Sequence, residues 1–261
     1  MRARNLKILV FLAVAGPGLG MAFGASPRAA ASSQDRASQD RPAGQPDKPA
    51  EEVYKNIQIF KGIPSQGVMR AMGFFRRSLG VECAFCHVPP TFEKDDKPNK
   101  LVARKMYRMV QLAQKDIGSN KVSCYMCHRG HEEPEPMPET WKAELDKAMK
   151  EADQDSKPAE QVYSNIQVFK GVPSGRIMVI MGMFSRSLGV ECSHCHVEGE
   201  FEKDDKPAKQ VARKMLKMTG DVAREFFDGK SPVGCYTCHR GQKEPVAFPA
   251  PQAQPPEKKG S

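Results

Sequence analysis

All eight cysteines of this 261-residue chain fall in four Cys-x-x-Cys pairs, and every pair is followed at once by histidine. The motifs are Cys83-Ala-Phe-Cys86-His87, Cys124-Tyr-Met-Cys127-His128, Cys192-Ser-His-Cys195-His196 and Cys235-Tyr-Thr-Cys238-His239. This spacing is the signature of covalent haem attachment. Two intervening residues let one helical turn present both sulfurs to the vinyl-derived positions of one porphyrin, and the next residue sets an imidazole beneath the iron. The motifs therefore imply four covalently attached haem c groups, with His87, His128, His196 and His239 as proximal iron ligands. Zinc held by two pairs, or a redox dithiol, accounts for the thiols but not for a histidine after every pair. The gap between pairs is also long for a zinc ribbon.

The sixth ligand separates irons that only exchange electrons from those that bind small molecules. Of the six histidines only His131 and His194 remain, so four bis-His irons cannot be built within one chain; both read as surface residues. Methionines lie in pairs one helical turn apart: Met69/Met72, Met106/Met109, Met178/Met181 and Met215/Met218. A helix through Met72 is predicted to end at Leu79 with Gly80 as a left-handed cap, after which the chain reverses into the attachment turn; Gly189 repeats this after Met181. A second helix in each half begins just after Pro98 or Pro207 and leads to the second motif. Each helix offers two methionines, one to ligate and one to pack as flexible core filler.

These elements sit in a duplication. Tyr54-Lys-Asn-Ile-Gln-Ile-Phe-Lys-Gly-Ile-Pro64 recurs as Tyr163-Ser-Asn-Ile-Gln-Val-Phe-Lys-Gly-Val-Pro173, and Phe92-Glu-Lys-Asp-Asp-Lys-Pro98 as Phe201-Glu-Lys-Asp-Asp-Lys-Pro207. The expected organisation is a dihaem unit at 51–135, a linker with a short helix at 136–160, and a second dihaem unit at 161–244. An insertion before the last motif is placed in the loop Asp228-Gly-Lys-Ser-Pro232. Trp141, Leu145 and Met149 give the linker helix one narrow apolar stripe that could lie on either half, read as a surface linker rather than a partner-binding helix. Residues 1–25, with Arg2, Arg4 and Lys7 before a short apolar run broken by Gly16-Pro17-Gly18, read as a secretory signal peptide. Residues 26–50 and the Pro-rich 245–261 read as disordered.

With 39% hydrophobic and 7% aromatic residues, the chain is too polar for a membrane bundle and too poor in apolar residues for a large aliphatic core. The formal charge of +9 falls to roughly +6 without the leader, and four haems would add roughly eight propionate carboxylates. The basic excess is thus propionate compensation, not a nucleic-acid footprint. Arg104, Arg213, Arg129 and Arg240 are candidate propionate partners, with exposed helix arginines as the alternative. The Lys94-Asp-Asp-Lys97 and Lys203-Asp-Asp-Lys206 loops are candidate docking sites, or simply solvated.

Taken together, Tyr-x-Asn-Ile-Gln, the methionine helix leading into Ser-Leu-Gly-Val-Glu-Cys, Ala-Arg-Lys-Met-x-x-Met, and Cys-Tyr-x-Cys-His-Arg-Gly resemble the cytochrome c subunit of photosynthetic reaction centres and related periplasmic multihaem cytochromes, over nearly all of 54–244. The resemblance implies Met72, Met106, Met181 and Met215 as distal ligands, with Met69, Met109, Met178 and Met218 as second choices. It implies a mainly α, loop-rich multihaem cytochrome c of two tandem dihaem helix-turn-CxxCH units, exported to the periplasm. Its expected role is carrying electrons between redox protein partners, a membrane-bound reaction centre or respiratory complex among them, with at most peripheral membrane association. Two departures stand out: no histidine precedes the second motif in 114–123, where reaction-centre members carry a distal one, and Met215 stands where those members lack a ligating methionine. The alternative function is a haem enzyme, a small-molecule reductase or peroxidase, with one open iron.

Overall fold

The apolar spacing of Val68, Met72, Phe75 and Leu79 dictates one helical stripe, and the chain uses it as such. The computed structural model describes residues 47–249. The first half comprises α1 (Ala50–Val53), α2 (Ser65–Leu79), α3 (Cys83–Cys86), α4 (Pro98–Ile117) and α5 (Cys124–His128). After α6 (Glu139–Ala152) the second half follows as α7 (Ala159–Val162), α8 (Ser174–Leu188), a 3-10 turn (Cys192–His194), α9 (Pro207–Phe226) and α10 (Cys235–His239). The fold is mainly α, and among the described residues strand pairing is confined to isolated bridges such as Pro49–Pro64 and Pro158–Pro173. The described residues of both halves belong to one compact unit.

Helix ends obey local chemistry. Gly80 (φ 67°) and Gly189 (φ 62°) cap α2 and α8 in the left-handed conformation, as the sequence predicts. Proline occupies the first turn of α4 and α9, where its missing N–H costs nothing. The inserted residues are absorbed in the loop after α9, where Asp228 (φ 51°) and Gly229 (φ 80°) both turn left-handed. The expected signal peptide and most of the 26–50 linker lie outside the described residues. The last of that linker is tied down: Asp47 accepts from the Ser65 hydroxyl at 2.5 Å and the Gln66 amide at 3.0 Å, at the N-terminus of α2, and Ala50 is fully buried.

The core is small. In the first half Ala50, Phe60 and Val68 are buried, with Met72, Phe75 and Tyr107 packed against them. The long helices α4 and α9 pack on each other across the halves, with Ala113 and Val222 buried on them. Each half also receives an aromatic residue from beyond the second motif of the other. Trp141, 5% exposed, lies edge-on to Tyr236 at 5.1 Å with the Arg186 guanidinium over its ring at 4.6 Å. Phe248 lies edge-on to Tyr125 at 5.0 Å with Arg77 over its ring at 5.2 Å. Linker helix α6 is therefore docked on α8 through its stripe, and Phe248 anchors the start of the expected C-terminal tail. The Arg186–Glu144 ion pair beside Trp141 is exposed and worth about 0–1 kcal/mol. Burial of the indole, about 3–5 kcal/mol by truncation, decides the docking.

Two backbone crossings set how each half closes. The Gly130 amide donates to Ser78 O and the Gly241 amide to Ser187 O, both at 2.8 Å, so the chain after each second motif runs against the end of α2 or α8. A Cβ on Gly80 would lie 2.0 Å from the Gly130 carbonyl oxygen. Gly80→Ala is therefore expected to cost more than the ~1 kcal/mol of a backbone mismatch alone. Gly220→Ala in α9, whose Cβ would meet only Arg224 at 3.5 Å, is expected to be neutral or to gain roughly 0.5–1 kcal/mol. Thermal unfolding of the two variants measures the difference, and equal midpoints would remove the crossing as a constraint.

Candidate functional site: four Cys-His attachment turns

Each Cys-x-x-Cys pair occupies a single turn: α3, α5, the 3-10 turn and its cap, and α10. All eight thiols are unbridged. Burial pushes Cys86, Cys124, Cys195 and Cys235 above the ordinary thiol range. Among the described residues no group of three or more His, Cys, Asp or Glu side chains converges to hold a metal ion, so the two pairs of a half do not assemble a four-thiolate zinc site.

The four motif histidines share one arrangement. Nδ1 of His87 meets Phe92 O at 2.8 Å, that of His128 meets His131 O at 3.1 Å, that of His196 meets Phe201 O at 2.9 Å and that of His239 meets Gln242 O at 3.0 Å. A carbonyl only accepts, so Nδ1 carries the proton and the Nε2 lone pair is left for a metal. Burial lowers the pKa of His87, His128 and His239, keeping these imidazoles neutral and able to ligate.

Two devices place those carbonyls. After the second motifs, Arg129 (φ 51°) with Gly130 (φ 87°), and Arg240 (φ 50°) with Gly241 (φ 78°), take successive left-handed conformations that turn the chain back under the ring. After the first motifs the acceptor comes from the Phe-Glu-Lys-Asp-Asp-Lys loop, pinned from three directions. Asp95 accepts from Asn56 at 3.0 Å and Arg104 at 2.8 Å and pairs with Lys100 at 3.1 Å. Asp204 does the same with Asn165, Arg213 and Lys209. Lys97 and Lys206 reach back to the Ala84 and Ser193 carbonyls inside the first-motif turns. The acidic-basic loops are therefore pinned clamps rather than free solvated loops, and Arg104 and Arg213 are engaged by carboxylates. Arg129 donates to Cys238 O at 3.0 Å and Arg240 to Cys127 O at 2.7 Å, a reciprocal clasp between α5 and α10. Across it the Cys127 and Cys238 thiols meet, which raises Cys127 and lowers Cys238.

A cavity of about 270 Å³, walled mainly by apolar side chains, joins Cys124, Cys127 and His128 to Met106, Met109 and Phe75. Both methionines of the α4 pair reach it. On α2 and α8 the pairs divide: Met69 is 47% and Met178 66% exposed, whereas Met72 and Met181 are half-buried, as is Met215. Sequence reasoning missed the four carbonyl acceptors, Asn56/Asn165 and Lys100/Lys209. For the clamp side chains a signal existed, since the Asn and the Phe-Glu-Lys-Asp-Asp-Lys loop recur unchanged in both halves; for the carbonyls there was none. It read His131 as a surface histidine only, and that residue's carbonyl carries the role.

The chain matches the family model for the photosynthetic reaction centre cytochrome C subunit over residues 12–150 and again over 139–260. The chain belongs to this family. Reaction centre cytochrome c subunits from Roseobacter denitrificans and Thermochromatium tepidum are 25% and 24% identical to it, each across 76% of this chain and across 70% and 61% of their own lengths. Cytochrome c-554 of Chloroflexus aurantiacus is 38% identical over 81 residues, 29% of this chain and 20% of that protein. Family membership makes this a c-type cytochrome, an electron-transfer protein with covalently bound haem c. The residues fit that group: paired thiols on one turn, imidazoles proton-locked at Nδ1, and an apolar cavity beside one turn that also holds methionine sulfur. When bound, haem supplies an iron that alternates between ferrous and ferric states. No helix among the described residues is long and apolar enough to cross a membrane.

The clamp has a pH signature. Arg104 holds the Asp95 carboxyl, and Arg213 that of Asp204, well below the usual carboxylate range. A carboxylate whose folded pKa is depressed stabilises the fold above its unfolded pKa, about 3.9, and loses that contribution as pH falls further toward its folded value. Asp95→Asn is therefore expected to lower the melting temperature most at neutral pH, with the gap to wild type closing below about pH 4. Far-UV circular dichroism melts across that range test it; a gap independent of pH would show the ionised carboxylate to be irrelevant.

Proposed function

We propose that the protein is an exported, periplasmic tetrahaem cytochrome c of two tandem dihaem units that passes electrons between redox protein partners. One observation carries the reading: all four motif histidines donate Nδ1–H to a backbone carbonyl, which leaves four Nε2 atoms for four irons. Cys83/Cys86, Cys124/Cys127, Cys192/Cys195 and Cys235/Cys238 would hold the haems, and Met72, Met106, Met181 and Met215 would supply the second iron ligands. With both axial positions filled an iron exchanges electrons without binding substrate, and Met raises the potential relative to a second His.

The Arg129 and Arg240 clasp sets the second-motif turns of the two halves side by side, which supports passage between halves at that point. The names of the relatives point to a reaction centre as a partner class. A respiratory complex fits equally, because the sequence departs from reaction-centre members at the distal histidine. Any membrane association is peripheral.

The intact mass of the native exported protein is expected to show cleavage near residue 25 and four covalent haems; fewer than four breaks the reading. Replacing Met72, Met106, Met181 or Met215 singly by Ala is expected to lower one reduction potential each and to open that ferrous haem to carbon monoxide, whereas wild type ignores carbon monoxide. Spectroelectrochemical titration reads both, and unchanged potentials in all four variants would discard the ligand assignment.

A further inference from the structure

The carbonyls that orient the four histidines are not equivalent. Phe92 O accepts from His87 Nδ1 at 2.8 Å and also from the Lys100 ammonium at 2.9 Å. Phe201 O accepts from His196 Nδ1 at 2.9 Å and from Lys209 at 2.8 Å. Both lysines are fixed, Lys100 donating also to Glu93 O and Lys94 O, and Lys209 to Glu202 O and Lys203 O. Lys100 is buried at 8% exposure. Among the described residues no side-chain cation bonds His131 O or Gln242 O, the acceptors at the second motifs. Arg240 is near His128 but bonds Cys127 O and Glu135.

A histidine that donates Nδ1–H to a strong acceptor becomes a more basic ligand and stabilises the ferric iron. A carbonyl already bound to an ammonium has its lone-pair density drawn away and accepts that proton more weakly. The neighbouring charge acts in the same direction, because Lys100 and Arg104 share the single carboxylate Asp95 and Lys209 and Arg213 share Asp204. One positive charge per clamp is left over, and it disfavours the ferric state.

We propose that Lys100 and Lys209 are potential-setting positioning residues, each raising the reduction potential of the first-motif haem in its own half through the carbonyl that orients the proximal histidine. This rests on the haem reading above, and the test separates the two. The holo-protein is compared with Lys100→Met, Lys209→Met and Lys100→Arg by intact mass for haem content and by potentiometric titration resolving the four haems. Lys100→Met is expected to move one potential downward and leave three unchanged, Lys209→Met to move a different one, and Lys100→Arg, which keeps the charge, to move its haem less.

The sign is diagnostic. If lysine merely held the loop, its loss would loosen the His87–Phe92 bond, weaken the ligand and move the same potential upward. Four attached haems with that potential unmoved or raised would overturn the lysine assignment alone, whereas a wild-type protein without covalent haem would overturn the haem reading with it. Lys209→Met tests the same claim at the more exposed copy of the clamp, should Lys100→Met fail to fold.

Discussion

An imidazole can serve an iron only if one nitrogen is free and the ring is held still. Here that requirement is met by a backbone carbonyl at every motif, so the geometry of four short loops governs the site. A ring tethered at Nδ1 is fixed in tautomer and in direction, at the cost of fixing the loop that supplies the carbonyl. The rest of the structure follows from that second demand. After the second motifs two left-handed residues suffice, because the acceptor lies only three positions away. After the first motifs the acceptor lies five positions away, and a loop of that span needs its own support from Asn56, Lys100 and Arg104 or their counterparts.

The halves are likewise locked at the motif turns rather than through a broad core. Few apolar side chains are buried, and those on α4 and α9 form one narrow seam. Around it run the Arg129 and Arg240 clasp and the exchanged aromatics Trp141 and Phe248. Each aromatic covers the tyrosine of the opposite Cys-Tyr-x-Cys turn, so neither half completes its own covering. Mutual completion of this kind holds two attachment turns in register more firmly than a linker would, and the proposed electron transfer between halves would need that fixed separation.

What was legible in the sequence is what depends on local spacing. The helix through Met72 ends at Leu79 because Gly80 can go left-handed, and α4 starts at Pro98 because proline fits a first turn; both follow from single residue types. The Cys-x-x-Cys-His motifs declare their own chemistry. What was not legible are the bonds to the backbone. No residue type marks Phe92 as the residue whose oxygen meets His87, since every residue has a carbonyl, and no composition rule tells that Asp95 faces Asn56 rather than solvent. The carbonyl partners of Arg129 and Arg240 were hidden for the same reason. A cation beside a haem motif suggests a propionate, yet left-handed backbone at that residue aims the side chain across the pseudo-symmetric contact to a carbonyl of the other half.

The charge excess takes a different meaning once its members are placed. A buried ammonium is costly unless its donors are satisfied. Lys100 satisfies all of them, with three carbonyls and a carboxylate in reach. Arg104 and Arg240, both nearly buried, are also committed to carboxylate and backbone partners. These cations do not form an outward field of the kind that gathers nucleic acid. They sit inside loops that hold histidine, where a fixed positive charge would disfavour the ferric iron of a bound haem. The balance struck in these loops is what can make chemically identical Cys-x-x-Cys-His motifs electrically different.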